Sequence, residues 1–299
     1  AEGRAQDEAF RSGATALVPT RFIVVGGIRL AVYESRGTAK PAVLFLHGNT
    51  SSANSFARIF QSPLAQVFRF VAIDLPGYGR SENANFYNIG LFRQTIVSAA
   101  QMLDVDDGVV AAWSLGGDLA LQTISALPNV KGLFLDGTAP IGVTPDLPPP
   151  FLTPAESPIG QAVNFGLVPN LPPDFINAYV TGFFRPNFQP IPPFFFADGQ
   201  RTDPGTRGAV FLAVTGQDPT FVDEVAVART LTIPIALVVG AQDSFVRTAY
   251  LDALAPSIPT LFGGRILKIP DTGHAVQWER PLAYAGLLTA FIADVRRRR

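Results

Sequence analysis

The chain has 299 residues, of which 47% are hydrophobic and 16% charged, with a formal net charge of -1. That is enough apolar surface for a large core, too much for a chain disordered over most of its length, and too balanced in charge for a nucleic-acid binder with a basic face. There is no cysteine and there are two histidines, His47 and His274. This rules out disulfides, thiolate catalysis and cysteine metal sites, and a metallohydrolase usually gathers two or three His. No metal and no cofactor is therefore expected.

Residues 1–20 are weakly patterned and read as a flexible lead-in. Arg21 to Val25 and Ile28 to Glu34 flank Gly26-Gly27, a hairpin signal. Ala42 to Leu46 is a short, continuous apolar run of the kind buried on both faces of a parallel sheet. Similar runs follow at Phe70 to Ile73, Gly108 to Ala112, Val130 to Leu135, Ile233 to Val239 and Arg265 to Ile269. Helical patterns lie between most of them, at Ser55 to Phe60, Ile89 to Leu103, Leu115 to Ala126, Arg247 to Ala255 and Leu282 to Arg296. This alternation predicts an α/β fold with a doubly wound, mostly parallel sheet.

From about Ala139 to Phe221 the rhythm breaks into Pro- and Phe-rich sequence with no strand periodicity. A structureless loop of that length does not suit a compact domain. The segment reads as an inserted, mainly helical cap over the sheet's C-terminal edge. The division expected is core 1–138, cap 139–221 and core 222–299, with no internal repeat. The basic run Arg296 to Arg299 reads as a solvated, frayed tail, an anionic surface contact being the alternative. No apolar run is long enough to span a bilayer and no secretory leader is visible. A cytoplasmic protein is the expectation. The start at Ala1 leaves a trimmed or mature exported form as the other reading.

The strongest local signal is Ala112-Trp113-Ser114-Leu115-Gly116-Gly117, an apolar strand running into a Ser, small residues and a helix. This is a nucleophile-elbow pattern, with Ala112 where Gly is usual. It makes Ser114 the candidate nucleophile at a helix N-terminus that favours a developing anion. The plainer reading is a Ser that caps a helix. A Ser hydroxyl needs a base. In a nucleophile-elbow fold the order is Ser, acid, His, and of the two histidines only His274 follows Ser114. His47 then shapes its own turn. The acid is expected at Asp243, just after the run Ile233 to Val239, with Asp136 its rival. The oxyanion donors expected are the backbone N–H groups of Leu115 and, in the His47-Gly48-Asn49 turn, of Asn49.

With His47-Gly48-Asn49-Thr50, Asp74-Leu75-Pro76-Gly77-Tyr78-Gly79-Arg80-Ser81, Trp113 to Gly117 and Thr272-Gly273-His274 in place, the chain resembles the α/β-hydrolase family from about Ile23 to the final helix. Gly132 to Pro140, Arg201-Thr202-Asp203 through Arg207, and Ile233 to Gly240 with Asp243 and Phe245-Val246 are further similar to the metal-independent N-acyl-homoserine lactonases of that fold. The resemblance implies a serine hydrolase acting on a small-molecule ester or lactone with an apolar acyl part, through an acyl-enzyme. The acid of that group is a Glu, whose position Asp243 occupies. Tyr179 resembles a cap Tyr that hydrogen-bonds the lactone. Trp113 and the Phe-rich cap would bind the acyl tail, although for Phe194-Phe195-Phe196 core packing is the plainer reading. Against the lactonase stand a general carboxylesterase, a cofactor-free haloperoxidase or perhydrolase, an epoxide hydrolase-like enzyme (for which Ser114 is the wrong nucleophile) and a hydrolase-fold ligand receptor. Oligomeric state is not legible.

Overall fold

The computed structural model describes residues 14–298. Its centre is an eight-stranded sheet in the order β1-β2-β4-β3-β5-β6-β7-β8. The strands are β1 (Arg21–Val25), β2 (Ile28–Glu34), β3 (Ala39–Leu46), β4 (Phe68–Ile73), β5 (Val109–Trp113), β6 (Gly132–Asp136), β7 (Ile235–Gly240) and β8 (Leu267–Ile269). The hairpin β1–β2 joins β4 antiparallel, and every pairing from β4 through β3 to β8 is parallel. Gly26 and Gly27 take φ of 56° and 82° in the two-residue turn, as a type I′ hairpin requires.

The central apolar runs form strands because both faces are covered. Along β3 the side chains of Ala42, Leu44 and Leu46 enter one core, while Val43 and Phe45 enter the other. That is the two-residue period of a strand with no wet face. The main helices are α1 (Ile89–Met102), α2 (Leu115–Thr123), α3 (Pro173–Thr181), α4 (Pro193–Arg201), α5 (Pro204–Val214), α6 (Glu224–Thr230), α7 (Thr248–Leu254) and α8 (Pro281–Arg297), with shorter turns between. Helix α6 has no counterpart in the sequence reading.

Between β6 and β7 the chain leaves the sheet and forms a 3-10 segment at Gly160–Leu167 and the helices α3, α4 and α5. Each of these helices opens on a proline in its first turn, where a missing N–H costs nothing. The prolines that make this region look irregular in sequence therefore start helices. Among the described residues no helix is long and apolar enough to cross a membrane.

Two expectations about the ends change. Of the lead-in, residues 1–13 lie outside the described residues, but Leu17 is buried and its N–H donates to Asn54 Oδ1 at 2.7 Å. At the other end α8 carries Arg296 and Arg297 within the helix. Arg296 donates to the Lys40 carbonyl and lies 5.3 Å from the Phe68 ring, and Arg298 bonds Asp294 at 2.8 Å. The described part of the basic run is thus a paired helix end, stabilised by cations near the helix C-terminus; Arg299 lies outside the described residues.

Candidate active site

The parallel registers set Leu46, Ala112, Leu135 and Asp136, Val238 and Gly240, and Ile269 along one edge. The loops leaving that edge carry His47 to Asn49, Ser114, Asp243 and His274. Strand order reverses on either side of β3, so these loops surround a crevice outside the strand ends.

Ser114 sits in the turn from β5 to α2 at φ 54° and ψ -126°. A residue with a side chain is strained there by about 1–3 kcal/mol and stays only if its surroundings hold it. Its N–H donates to the Asp136 carbonyl at 2.8 Å, and its own carbonyl accepts from Gly117 N at 2.7 Å and Thr138 Oγ1 at 3.1 Å. The helix then passes the sheet very closely. A Cβ on Gly116 would lie 2.2 Å from the Leu46 carbonyl, and one on Gly117 2.0 Å from Thr138 Oγ1. Ala112, by contrast, is accommodated fully buried.

His274 Nδ1 lies 2.7 Å from Asp243 Oδ2, and both side chains are almost wholly buried. Asp243 Oδ1 accepts from Phe245 N at 2.7 Å and Val246 N at 2.9 Å. Both carboxylate oxygens are therefore engaged, one holding the imidazole and one anchoring the loop. The ring is wedged by Phe245 at 4.8 Å and Trp113 at 5.5 Å. Asp136, the rival acid, makes no bond to His274; its carboxyl is fully buried, and burial first, then the Asp243 charge, push its pKa well above the usual carboxylate range.

The other histidine is held differently. His47 is fully buried, its Nδ1 lies 2.8 Å from the Gly48 carbonyl, and its Nε2 accepts from Leu75 N at 3.1 Å. The two bonds specify one neutral tautomer, and burial lowers its pKa to about 4. His47 shapes its turn, as expected. Asp74 does the same for the next loop, accepting from Ala53 N, Arg80 N and Tyr33 Oη between 2.7 and 2.8 Å.

Asn49 is locked by its side chain, which donates to the Gly166 carbonyl at 2.7 Å and accepts from Tyr78 Oη at 3.2 Å. Its backbone N–H, like that of Leu115 in the first turn of α2, has no acceptor among the described residues. Unused N–H groups at a helix start are a ready anion cradle.

Asn49, Ser114, Leu115, Tyr179 and His274 line one cavity of about 210 Å³, whose remaining wall includes Phe151, Val163, Leu167, Val210 and Phe245. Tyr179 reaches it from α3 and packs at 5.1 Å against Phe245. Trp113 corrects the reading from sequence: it lies behind the cavity, fully buried, and its Nε1 donates to the His274 carbonyl at 3.0 Å. As the last residue of β5 it faces the same core as Val109 and Ala111. Phe194 and Phe195 stack against each other and meet Trp278 edge-on, which is core packing. Sequence reasoning missed the wall residues from 151 to 167, which carry no motif, and Asp118 in α2, which also lines the cavity.

The insertion is tied to the histidine loop. Ala275 N donates to the Phe183 carbonyl at 2.7 Å. The fully buried Glu279 accepts from Arg185 N at 2.8 Å, from Arg185 Nη1 at 2.7 Å and from Gly273 N at 2.9 Å.

The family profile described as the alpha/beta hydrolase family matches residues 43–287. The chain belongs to the alpha/beta hydrolase family. Among solved structures, an N-acyl homoserine lactonase, AidH, in complex with N-butanoyl homoserine superposes with a TM-score of 0.82 at 25% identity, over 92% of this chain and 96% of that one. Among curated relatives, the dihydrolipoyllysine-residue acetyltransferase component of the acetoin cleaving system of Pseudomonas putida is 25% identical over 85% of this chain and 64% of its own length. The pimeloyl-[acyl-carrier protein] methyl ester esterase of Stenotrophomonas maltophilia is 32% identical over 33% of this chain and 37% of its own length. The chain thus spans less than two thirds of the length of these curated relatives.

Proposed function

We propose that this hydrolase cleaves a carboxylic ester, best a lactone of the N-acyl-homoserine type, through an acyl-enzyme on Ser114. The observation that carries the reading is a strained Ser at the mouth of α2 sharing one cavity with a His whose far nitrogen is held at 2.7 Å by a buried Asp. Held that way, the imidazole offers Nε2 to the serine side.

In this mechanism Ser114 Oγ attacks the carbonyl carbon while His274 Nε2 takes its proton, and Asp243 stabilises the imidazolium. The tetrahedral oxyanion accepts from the N–H groups of Asn49 and Leu115, which have no acceptor of their own. The carbonyl re-forms, the ring oxygen leaves with the proton from His274, and the hydroxyl stays on the opened product. Water, deprotonated by His274, then attacks the acyl-enzyme and releases the acid. Residues 139–221 act as a cap whose Tyr179 faces the lactone, and the acyl tail lies on Phe151, Val163, Leu167 and Phe245.

The lactone preference draws on the likeness to AidH over nearly the whole chain. A linear-ester enzyme is the second reading, favoured by the match to the methyl ester esterase. A panel of homoserine lactones of graded acyl length against p-nitrophenyl esters, with chelator present, separates the two by kcat/KM. Ser114→Ala should lower kcat by about four orders of magnitude or more on the preferred substrate. Turnover near the wild-type rate would assign the nucleophile elsewhere.

A further inference from the structure

The cavity wall holds one carboxyl that this mechanism does not use. Asp118 stands one helical turn beyond Ser114 on α2 and lines the cavity, whose other lining residues are mostly apolar. Its Oδ1 is buried and has no donor among the described residues. Its neighbour is the carboxyl of Glu224, the first residue of α6, which is fully buried. Glu224 in turn accepts from Gln122 Nε2 at 2.9 Å and from Ile141 N at 2.8 Å.

Two buried carboxyls in contact cannot both be ionised, so a proton lies between them. Glu224 already receives two N–H groups, which favour its ionised form. The proton therefore belongs to Asp118, and Asp118 donates it to Glu224. Burial first, then the Glu224 charge, raise the pKa of Asp118 well above the carboxylate range. Asp118 itself lines the cavity, and no hydrogen bond donated to its carboxyl is seen among the described residues. It is a neutral carbonyl-type acceptor on an apolar wall. An acceptor so placed loses its water when an acyl group fills the cavity, and a purely alkyl ligand returns nothing in exchange.

We propose that Asp118 is a specificity residue that accepts a hydrogen bond from a hydroxyl group on the substrate's acyl chain, Glu224 serving to keep it protonated and oriented. This rests on the serine-hydrolase reading of the same cavity. Asp118 and Ser114 stand four residues apart at the start of α2 and line the same cavity. That suits a hydroxyl three or four bonds from the reacting carbonyl, as in a 3-hydroxyacyl ester.

The test measures binding apart from turnover. In Ser114→Ala protein, a 3-hydroxyacyl ester should bind about ten-fold tighter than its unsubstituted counterpart by titration calorimetry, the span of one neutral hydrogen bond. Adding Asp118→Leu should bring the two Kd values within about two-fold of each other, whereas Asp118→Asn, which keeps a donor toward Glu224 and an acceptor toward the cavity, should preserve the difference. Equal Kd values in the Ser114→Ala protein overturn the proposal without any need of the Leu variant. So does a preference that survives Asp118→Leu. Turnover of both esters by the wild-type protein is read separately, and its absence counts against the hydrolase reading alone.

Discussion

At the scale of single residues, the site separates two carboxylates and two histidines by what surrounds them. Asp243 is bonded to His274 and to two backbone N–H groups, which engage both of its oxygens. Asp136, one strand over, is buried with both oxygens short of side-chain partners and is pushed toward the neutral acid. Asp243→Asn should cut kcat on the preferred ester by about 10³–10⁴, because an amide there can present its N–H to Nδ1 and reverse the tautomer. Asp136→Asn should change kcat by less than about ten-fold, since it replaces one neutral group by another. Parallel assays of the two variants decide the assignment, and a larger loss in the Asp136 variant would transfer the acid role. The same logic distinguishes the histidines: His274 keeps Nε2 for the cavity, whereas His47 has both nitrogens committed to Gly48 and Leu75.

At the scale of elements, the link between the insertion and the histidine loop runs through Glu279. Its carboxylate gathers Gly273 N from one side and both the N–H and the guanidinium of Arg185 from the other. Removing a charged partner from a fully buried carboxylate leaves part of its desolvation uncompensated. Arg185→Ala should therefore lower stability in urea unfolding by about 1–2 kcal/mol, less than a wholly buried pair would because the arginine is partly exposed. The same variant should slow ester turnover, as Gly273 immediately precedes His274. A variant as stable and as fast as wild type would mean that the guanidinium adds nothing to the backbone bonds that hold the loop. The proline-led helices α3 to α5 belong to the same scale: proline excluded strand there, and the helices it started became visible only with their burial on the core.

At the scale of the whole molecule, two buried groups bias stability in opposite directions with pH. His47 has its pKa lowered from 6.5 to about 4, so the unfolded chain binds its proton first. That contribution is complete above about pH 6.5 and falls away toward pH 4, to a total of about 3 kcal/mol. Glu224, raised by burial, behaves in the reverse sense. Its contribution is complete below the ordinary carboxylate range and declines as the pH rises through its elevated folded value. Between roughly pH 4.5 and 6.5 the two slopes oppose each other. Asp118 and Asp136, raised likewise, add to the decline, so each variant is read by urea unfolding as a change of slope from wild type. Glu224→Gln should shift that slope in the positive direction, and His47→Gln in the negative direction. Unchanged profiles in both variants would mean that neither group titrates differently in the folded state.

The strand–helix alternation, the hairpin at Gly26-Gly27, the elbow at Ser114 and the order Ser114, Asp243, His274 were all legible in the chain, because each rests on local chemistry: a strand buried on both faces must be a continuous apolar run, a residue held at positive φ needs small neighbours, and a two-residue hairpin needs glycine. What surrounds the elbow was not legible in this way. Only the tertiary structure turned Trp113 away from the cavity, brought Phe151, Val163 and Phe245 onto its wall, paired Arg296 with the Lys40 carbonyl and set Asp118 against Glu224 more than a hundred residues away. Those contacts join segments distant in sequence, and no spacing or composition records which of them a fold will press together.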